Sequence, residues 1–223
     1  MTEAIEQLCP YCNVTLNKVP IRKIKCSQCN NNIYVRTRFS DRKKVLVTKN
    51  ESIEIDQLWS EYHERNRRIV SLQPFGITEQ QFMQTKEQLS KRKGNIVTDI
   101  DVSLELLNQL SLIEKESGTL RMIFSEIALI MNEIDQDFIP YLIKAAEMDL
   151  LRYNQSRIIK KVRITAAGKA SNSCTACLAQ DGRELLIEDA MLLKPIPCIE
   201  CTTIFRGTKK GFCRCCYTPI ISK

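Results

Sequence analysis

The sequence predicts a mainly α-helical chain with small β modules at its two ends, each organised around cysteines. Three observations carry this expectation. All eleven cysteines fall within residues 9–29 and 174–216, in repeated C-x-x-C pairs, and the 144 residues between Cys29 and Cys174 contain none. The cysteine-free stretch places apolar residues at helical spacing. Short β-branched and aromatic runs flank the cysteines. Three segments follow: a β module over 1–50, a helical domain of antiparallel hairpins over 51–156, and a cysteine-rich module over 157–223.

In the first segment, Ile33-Tyr34-Val35-Arg36-Thr37-Arg38-Phe39 alternates and reads as a strand. Ser40-Asp41 makes a turn, and Val45-Leu46-Val47 a second short strand. The helical segment opens with Ile55, Leu58, Trp59 and Tyr62 on one stripe. Thr78 with Gln81, and Thr98 with Asp101, are capping-box starts. The helix from Thr98 presents Val102, Leu106, Leu107, Leu110 and Ile113, and Gly118 is expected to break it. Two more helices carry Leu120 to Ile134 and Phe138 to Leu151, with Pro140 tolerated in a first turn. Ile158, Lys160, Val162 and Ile164 read as a strand, and Gly168 with Ser171, Asn172 and Ser173 as a loop.

At 223 residues and 43% hydrophobic content the chain can bury a real core. No apolar run approaches the roughly 18 residues of a membrane span, so no membrane partner is expected. Met1 to Leu8 carries Glu3 and Glu6 and does not read as a secretory leader. A cytoplasmic location is therefore expected, where clustered C-x-x-C pairs point to metal rather than disulfides.

The first cluster reads C-P-Y-C, thirteen residues, then C-S-Q-C. Zn²⁺ takes four soft ligands in a tetrahedron, and two C-x-x-C turns supply two thiolates each. Cys9, Cys12, Cys26 and Cys29 are thus candidate ligands of one closed, structural Zn²⁺. Over residues 7–47 the chain resembles the zinc-ribbon class, a resemblance that implies a folding staple and a binding surface but no single function.

The net charge of +7 is uneven: residues 1–50 hold ten Lys/Arg against three Asp/Glu, whereas 51–165 hold 15 against 18. Arg22, Lys23, Lys25, Arg36, Arg38, Arg42, Lys43 and Lys44 crowd the first cysteine site, interleaved with Tyr34 and Phe39. Basic side chains with aromatics on a small rigid sheet can track a phosphate backbone and stack bases. DNA or RNA is the expected partner of this face, with a protein partner as the alternative.

The second cluster holds Cys174, Cys177, Cys198, Cys201, Cys213, Cys215 and Cys216, three more than one tetrahedral site needs. One Zn²⁺ is the simpler expectation, with Cys174 and Cys177 as its first pair and a second pair from Cys198/Cys201 or Cys213/Cys215/Cys216, between which spacing does not choose; two ions sharing bridging thiolates are the alternative. The order Cys174-Thr-Ala-Cys177, Asp181-Gly182, Cys213-Arg214-Cys215 and Pro219 is similar to the C-terminal cysteine motif of phage head-morphogenesis (minor head) proteins. It departs from that family where a His usually precedes C-R-C, since Gly211 and Phe212 stand there. The resemblance covers about 45 residues and implies a zinc-binding module and a bacterial or phage source.

The one histidine, His63, makes His-dependent hydrolysis and His-liganded catalytic zinc poor fits. No phosphate-binding glycine motif is present. Asp99/Asp101 and Asp135/Asp137 stand at expected helix starts, where carboxylates favour the dipole. A non-enzymatic zinc-binding adaptor is expected, without a small-molecule substrate. A protein-assembly factor is the main alternative, and a thiol redox protein a lesser one, since a C-x-x-C can lower a thiol pKa.

Overall fold

A computed structural model describes residues 7–156, 158–167 and 173–221. Among these the protein is mixed α and β, with seven α-helices and two three-stranded antiparallel sheets. It divides into two compact units, residues 1–71 and 72–223.

In the first unit, β1 (Ile24–Lys25), β2 (Asn32–Thr37) and β3 (Lys44–Val47) form a sheet in that order. The alternation from Ile33 puts Ile33 inside, where it packs with Cys9, Leu16 and Cys26. Four residues make a very small core, too small to fold a unit by burial alone. Helix α1 (Lys49–Leu72) starts at a capping box: Thr48 Oγ1 accepts the Glu51 N–H at 3.3 Å, and Glu51 Oε2 accepts the Thr48 N–H at 2.7 Å. The helix is tied to the sheet by polar anchors. Trp59 Nε1 donates to the Thr37 carbonyl at 2.8 Å, and the Tyr11 hydroxyl accepts the Lys49 N–H at 2.8 Å. Leu58, expected on the apolar stripe, is exposed instead.

In the second unit, α2 (Glu79–Lys93) and α3 (Asp99–Ile113) begin at the two capping boxes expected from sequence. Helix α4 (Ser117–Glu133) corrects the expectation for Gly118. The break lies at 114–116, and Gly118 sits in the first turn of α4. The Glu116 carboxylate caps that turn, accepting the N–H groups of Gly118 and Thr119. A Cβ at Gly118 would stand 3.0 Å from both carboxylate oxygens, so the glycine makes room for the cap.

Helix α5 (Ile139–Asn154) follows with Pro140 in its first turn. Asp137 accepts the Ile139 N–H at 3.2 Å, as a helix start requires, but Asp135 instead occupies a left-handed turn (φ 61°) and pairs with Lys210 at 2.8 Å. Strand β4 (Ile159–Thr165) is the centre of the second sheet, between β5 (Glu184–Leu186) and β6 (Cys216–Ile221). Two short helices, α6 (Thr175–Gln180) and α7 (Ile187–Leu193), complete the unit. One hydrophobic cluster unites Ala128 of α4, Leu142 and Leu150 of α5, Val162 and Ile164 of β4, and Cys177, Cys198 and Cys213. The loop expected over 168–172 lies outside the described residues.

Candidate metal centres

The N-terminal cysteines sit on two turns of the same construction. Cys9 N–H donates to the Val14 carbonyl and Asn13 N–H to the Cys9 carbonyl, both at 2.9 Å. In the second turn, Cys26 N–H donates to Asn31 and Asn30 N–H to Cys26, at 2.9 and 3.0 Å. Asn13 (φ 58°) and Asn30 (φ 65°) each follow the second cysteine in the left-handed conformation that Asn tolerates. The matched turns aim four thiols at one point.

All four sulfurs lie within 4.8 Å of one another. Cys9 and Cys29 are 3.8 Å apart, as are Cys12 and Cys26. Thiolates held at about 2.3 Å by one metal form a tetrahedron with edges of about 3.8 Å, whereas a disulfide needs about 2.05 Å. The spacing fits a metal and no bridge. Cys26, with the backbone N–H groups of Cys29 and Gln28 against its sulfur, is brought down to about 7, whereas Cys12, despite the Val14 N–H, is pushed up to about 12 by burial and the neighbouring cysteines.

The second cluster is built on α6, the 198–201 turn and the residues entering β6. Cys177, Cys198, Cys213 and Cys215 have sulfurs within 4.8 Å of one another, and so do Cys174, Cys177 and Cys201. Cys177 lies 3.8 Å from Cys213 and 3.7 Å from Cys201, again tetrahedral edges. Cys198 N–H donates to the Cys213 sulfur at 3.1 Å. The Cys215 thiol and the N–H groups of Cys215 and Cys198 outweigh burial and bring Cys213 to about 5. Burial raises the Cys174 thiol, but the N–H groups of Cys177 and Thr202 bring it down to about 6. Cys216 belongs to neither group. It is the first residue of β6, and its sulfur lies 3.9 Å from the Thr165 carbonyl.

Three residues outside the cysteines shape this centre. Gly211 runs against the Cys201–Thr202 backbone, and Phe212 N–H donates to the Thr203 carbonyl at 2.8 Å. Phe212 stacks between Phe138 and Phe205, with ring centroids 5.7 and 6.0 Å away. The fully buried Asn132 of α4 clamps Lys210, donating to its carbonyl and accepting its N–H, both at 3.2 Å. A cavity of about 270 Å³ adjoins the cysteines, bordered by Cys213, Arg214, Phe205 and the Arg121–Asp149 ion pair. None of these residues carries a sequence signal of its own except Gly211 and Phe212, which stand where a histidine is usual in the resembling motif.

The basic residues divide into two sets. Arg36 is bidentate on Asp56, with Nε–Oδ1 at 2.9 Å and Nη2–Oδ2 at 3.0 Å. Arg38 reaches Asp41 at 3.2 Å. Arg42 lies over Trp59 at 4.2 Å and over Phe39 and Tyr62 at 5.2 Å. These three arginines have intramolecular partners with which any phosphate must compete. Arg22, Lys23, Lys25, Lys43 and Lys44 are exposed, as are Arg38 and Arg42; Lys43 adds its charge beside Asp41, and the Lys23 ammonium lies 5.0 Å from the Tyr34 ring. His63 is exposed and stacks on Trp59 at 5.5 Å.

No known family model, curated protein or solved structure matches the chain. Among the described residues, no helix is long and apolar enough to cross a membrane.

Proposed function

We propose that the protein is a non-enzymatic zinc-dependent adaptor whose basic N-terminal unit binds nucleic acid, with protein contacts from the helical and C-terminal parts. The carrying observation is the exposed set Arg22, Lys23, Lys25, Lys43 and Lys44 on a small sheet stapled by four cysteines. Paired cysteine turns and a three-stranded sheet support a zinc ribbon there, and thiolate tetrahedra suit Zn²⁺. Cysteine supplies all four donors, so the site would be structural. It presents a surface and leaves no open position for a substrate.

Titrating DNA and RNA into the protein at several salt concentrations tests this. Affinity should fall steeply with salt, and reversing Lys43 and Lys44 to Glu should weaken it. No binding at low salt, or binding indifferent to that reversal, would reject it. Elemental analysis should find zinc; iron would revise the metal.

A second reading, an assembly factor that docks proteins, is favoured by adjacent exposed apolar pairs. Leu112 and Ile113 end α3, and Leu192 and Leu193 end α7. A stoichiometric protein partner recovered without nucleic acid would support it.

A further inference from the structure

We propose that the C-terminal cysteines hold two metal ions, with the Cys177 thiolate bridging them. This rests on these cysteines being a metal centre, and goes beyond it in the number of ions and the ligand set. Cys177, Cys198, Cys213 and Cys215 already supply the four donors one tetrahedral ion requires. Cys174 and Cys201 stand outside that set, yet their sulfurs gather with Cys177 within 4.8 Å. Cys177 is common to both groups.

The chain geometry distributes donors between two centres. The Cys198-x-x-Cys201 turn sends Cys198 to one group and Cys201 to the other, while Cys174-x-x-Cys177 brings its second cysteine to both. A single ion would leave Cys174 and Cys201 without a metal, although Cys201 stands 3.7 Å from Cys177, the edge of a tetrahedron. Six thiolates around two dications leave two negative charges, the same as four thiolates around one. A void of about 10 Å³ lined by Cys177, Cys201 and Cys215 adjoins the second group, roughly the room one water-sized ligand occupies.

Native mass spectrometry of the full chain loaded with zinc chloride counts the ions. The expected count is three: one on Cys9, Cys12, Cys26 and Cys29, and two at the C-terminal centre. Cys174→Ser and Cys201→Ser should each lower it to two, and Cys216→Ser should leave three. With ¹¹³Cd in place of zinc, two of three resonances should split one another through the shared sulfur. A count of two in the unaltered chain that persists in Cys174→Ser overturns the bridge but leaves a one-ion centre. Three ions without mutual splitting also overturn it. A count insensitive to every C-terminal cysteine substitution overturns both the bridge and the centre. The unaltered chain and its ¹¹³Cd spectrum decide the matter even where Cys174→Ser or Cys201→Ser does not fold.

Discussion

Gly211 lies so close to Cys201 that a Cβ at position 211 would stand 1.6 Å from the Cys201 carbonyl oxygen and 2.8 Å from the Thr202 Cα. Both neighbours are backbone, so they cannot swing aside as a side chain would. Gly211→Ala must therefore displace one of the two backbone segments beside the second cysteine cluster. Overpacking of this kind costs about 3 kcal/mol or more. The variant should lose metal from the C-terminal centre while the N-terminal site keeps its ion, as read by metal counting on the purified protein.

Asn132 and Lys210 give a milder lesion. Asn132→Ala removes both bonds to the Lys210 backbone from a fully buried position. Unpaired buried polar groups should lower stability by about 2 kcal/mol. Denaturant unfolding followed by helical circular dichroism measures this, with the transition shifted to lower denaturant at unchanged slope.

Asp101 predicts a pH dependence. The Thr98 hydroxyl, then, against partial burial, the Thr98 N–H and Lys93, hold its carboxyl below the ordinary value. A depressed folded-state pKa means that its stabilising effect is full above the unfolded value, near pH 4, and is lost as pH falls through the folded value. Thr98→Ala should cost about 1 kcal/mol at neutral pH and flatten the loss of stability in acid. Thermal melts between neutral pH and pH 3 would show whether the two chains converge.

The two sets of basic residues should respond differently to substitution. Lys44→Ala should reduce the salt slope of nucleic-acid binding by about 0.9 if Lys44 contacts one phosphate of a duplex. Arg42→Ala should change that slope little but lower the stability of the first unit, because the guanidinium covers Trp59, Phe39 and Tyr62. Equal slope losses in both would show that Arg42 leaves its rings to bind phosphate.

Chelation should unfold the first unit. The buried cluster around the four thiols is Leu16, Ile33 and two of the cysteines themselves, so removing the metal takes away much of what holds β1 to β3. Structural thiolate sites contribute about 10 kcal/mol or more in small modules. Loss of sheet signal on adding a strong chelator, and its return on adding Zn²⁺, is the expected result.

Much of this architecture was legible because it rests on local rules. C-x-x-C spacing located the first site, and Thr78/Gln81 and Thr98/Asp101 located two helix starts to the residue. The same rule also applies at Thr48/Glu51, which starts α1, and the Asn after each N-terminal C-x-x-C marks its left-handed turn. Gly118 misled because glycine is also what a side-chain cap needs beside it. The C-terminal ligand groups were not legible. Which cysteine joins which group depends on the approach of α6 to the 198–201 turn and to β6, and no spacing rule encodes such contacts. Nor did charge alone separate Arg36, Arg38 and Arg42 from the exposed lysines, since their partners Asp56, Asp41 and the rings around Trp59 are recruited by the fold.

The pairing of β4 with β6 sets an order for biosynthesis. The Tyr153 hydroxyl at the end of α5 donates to the Tyr217 carbonyl, and Ile159 pairs with Ile221. The side of α5 and β4 that β6 covers therefore stays open until residue 221 has been made. The strands β1 to β3, which pair only with one another, need nothing beyond residue 47 to form their sheet. Long-range pairing of this kind is slow and leaves surface exposed. A nascent chain stalled between residues 155 and 215 should be the stage at which this protein most depends on chaperones.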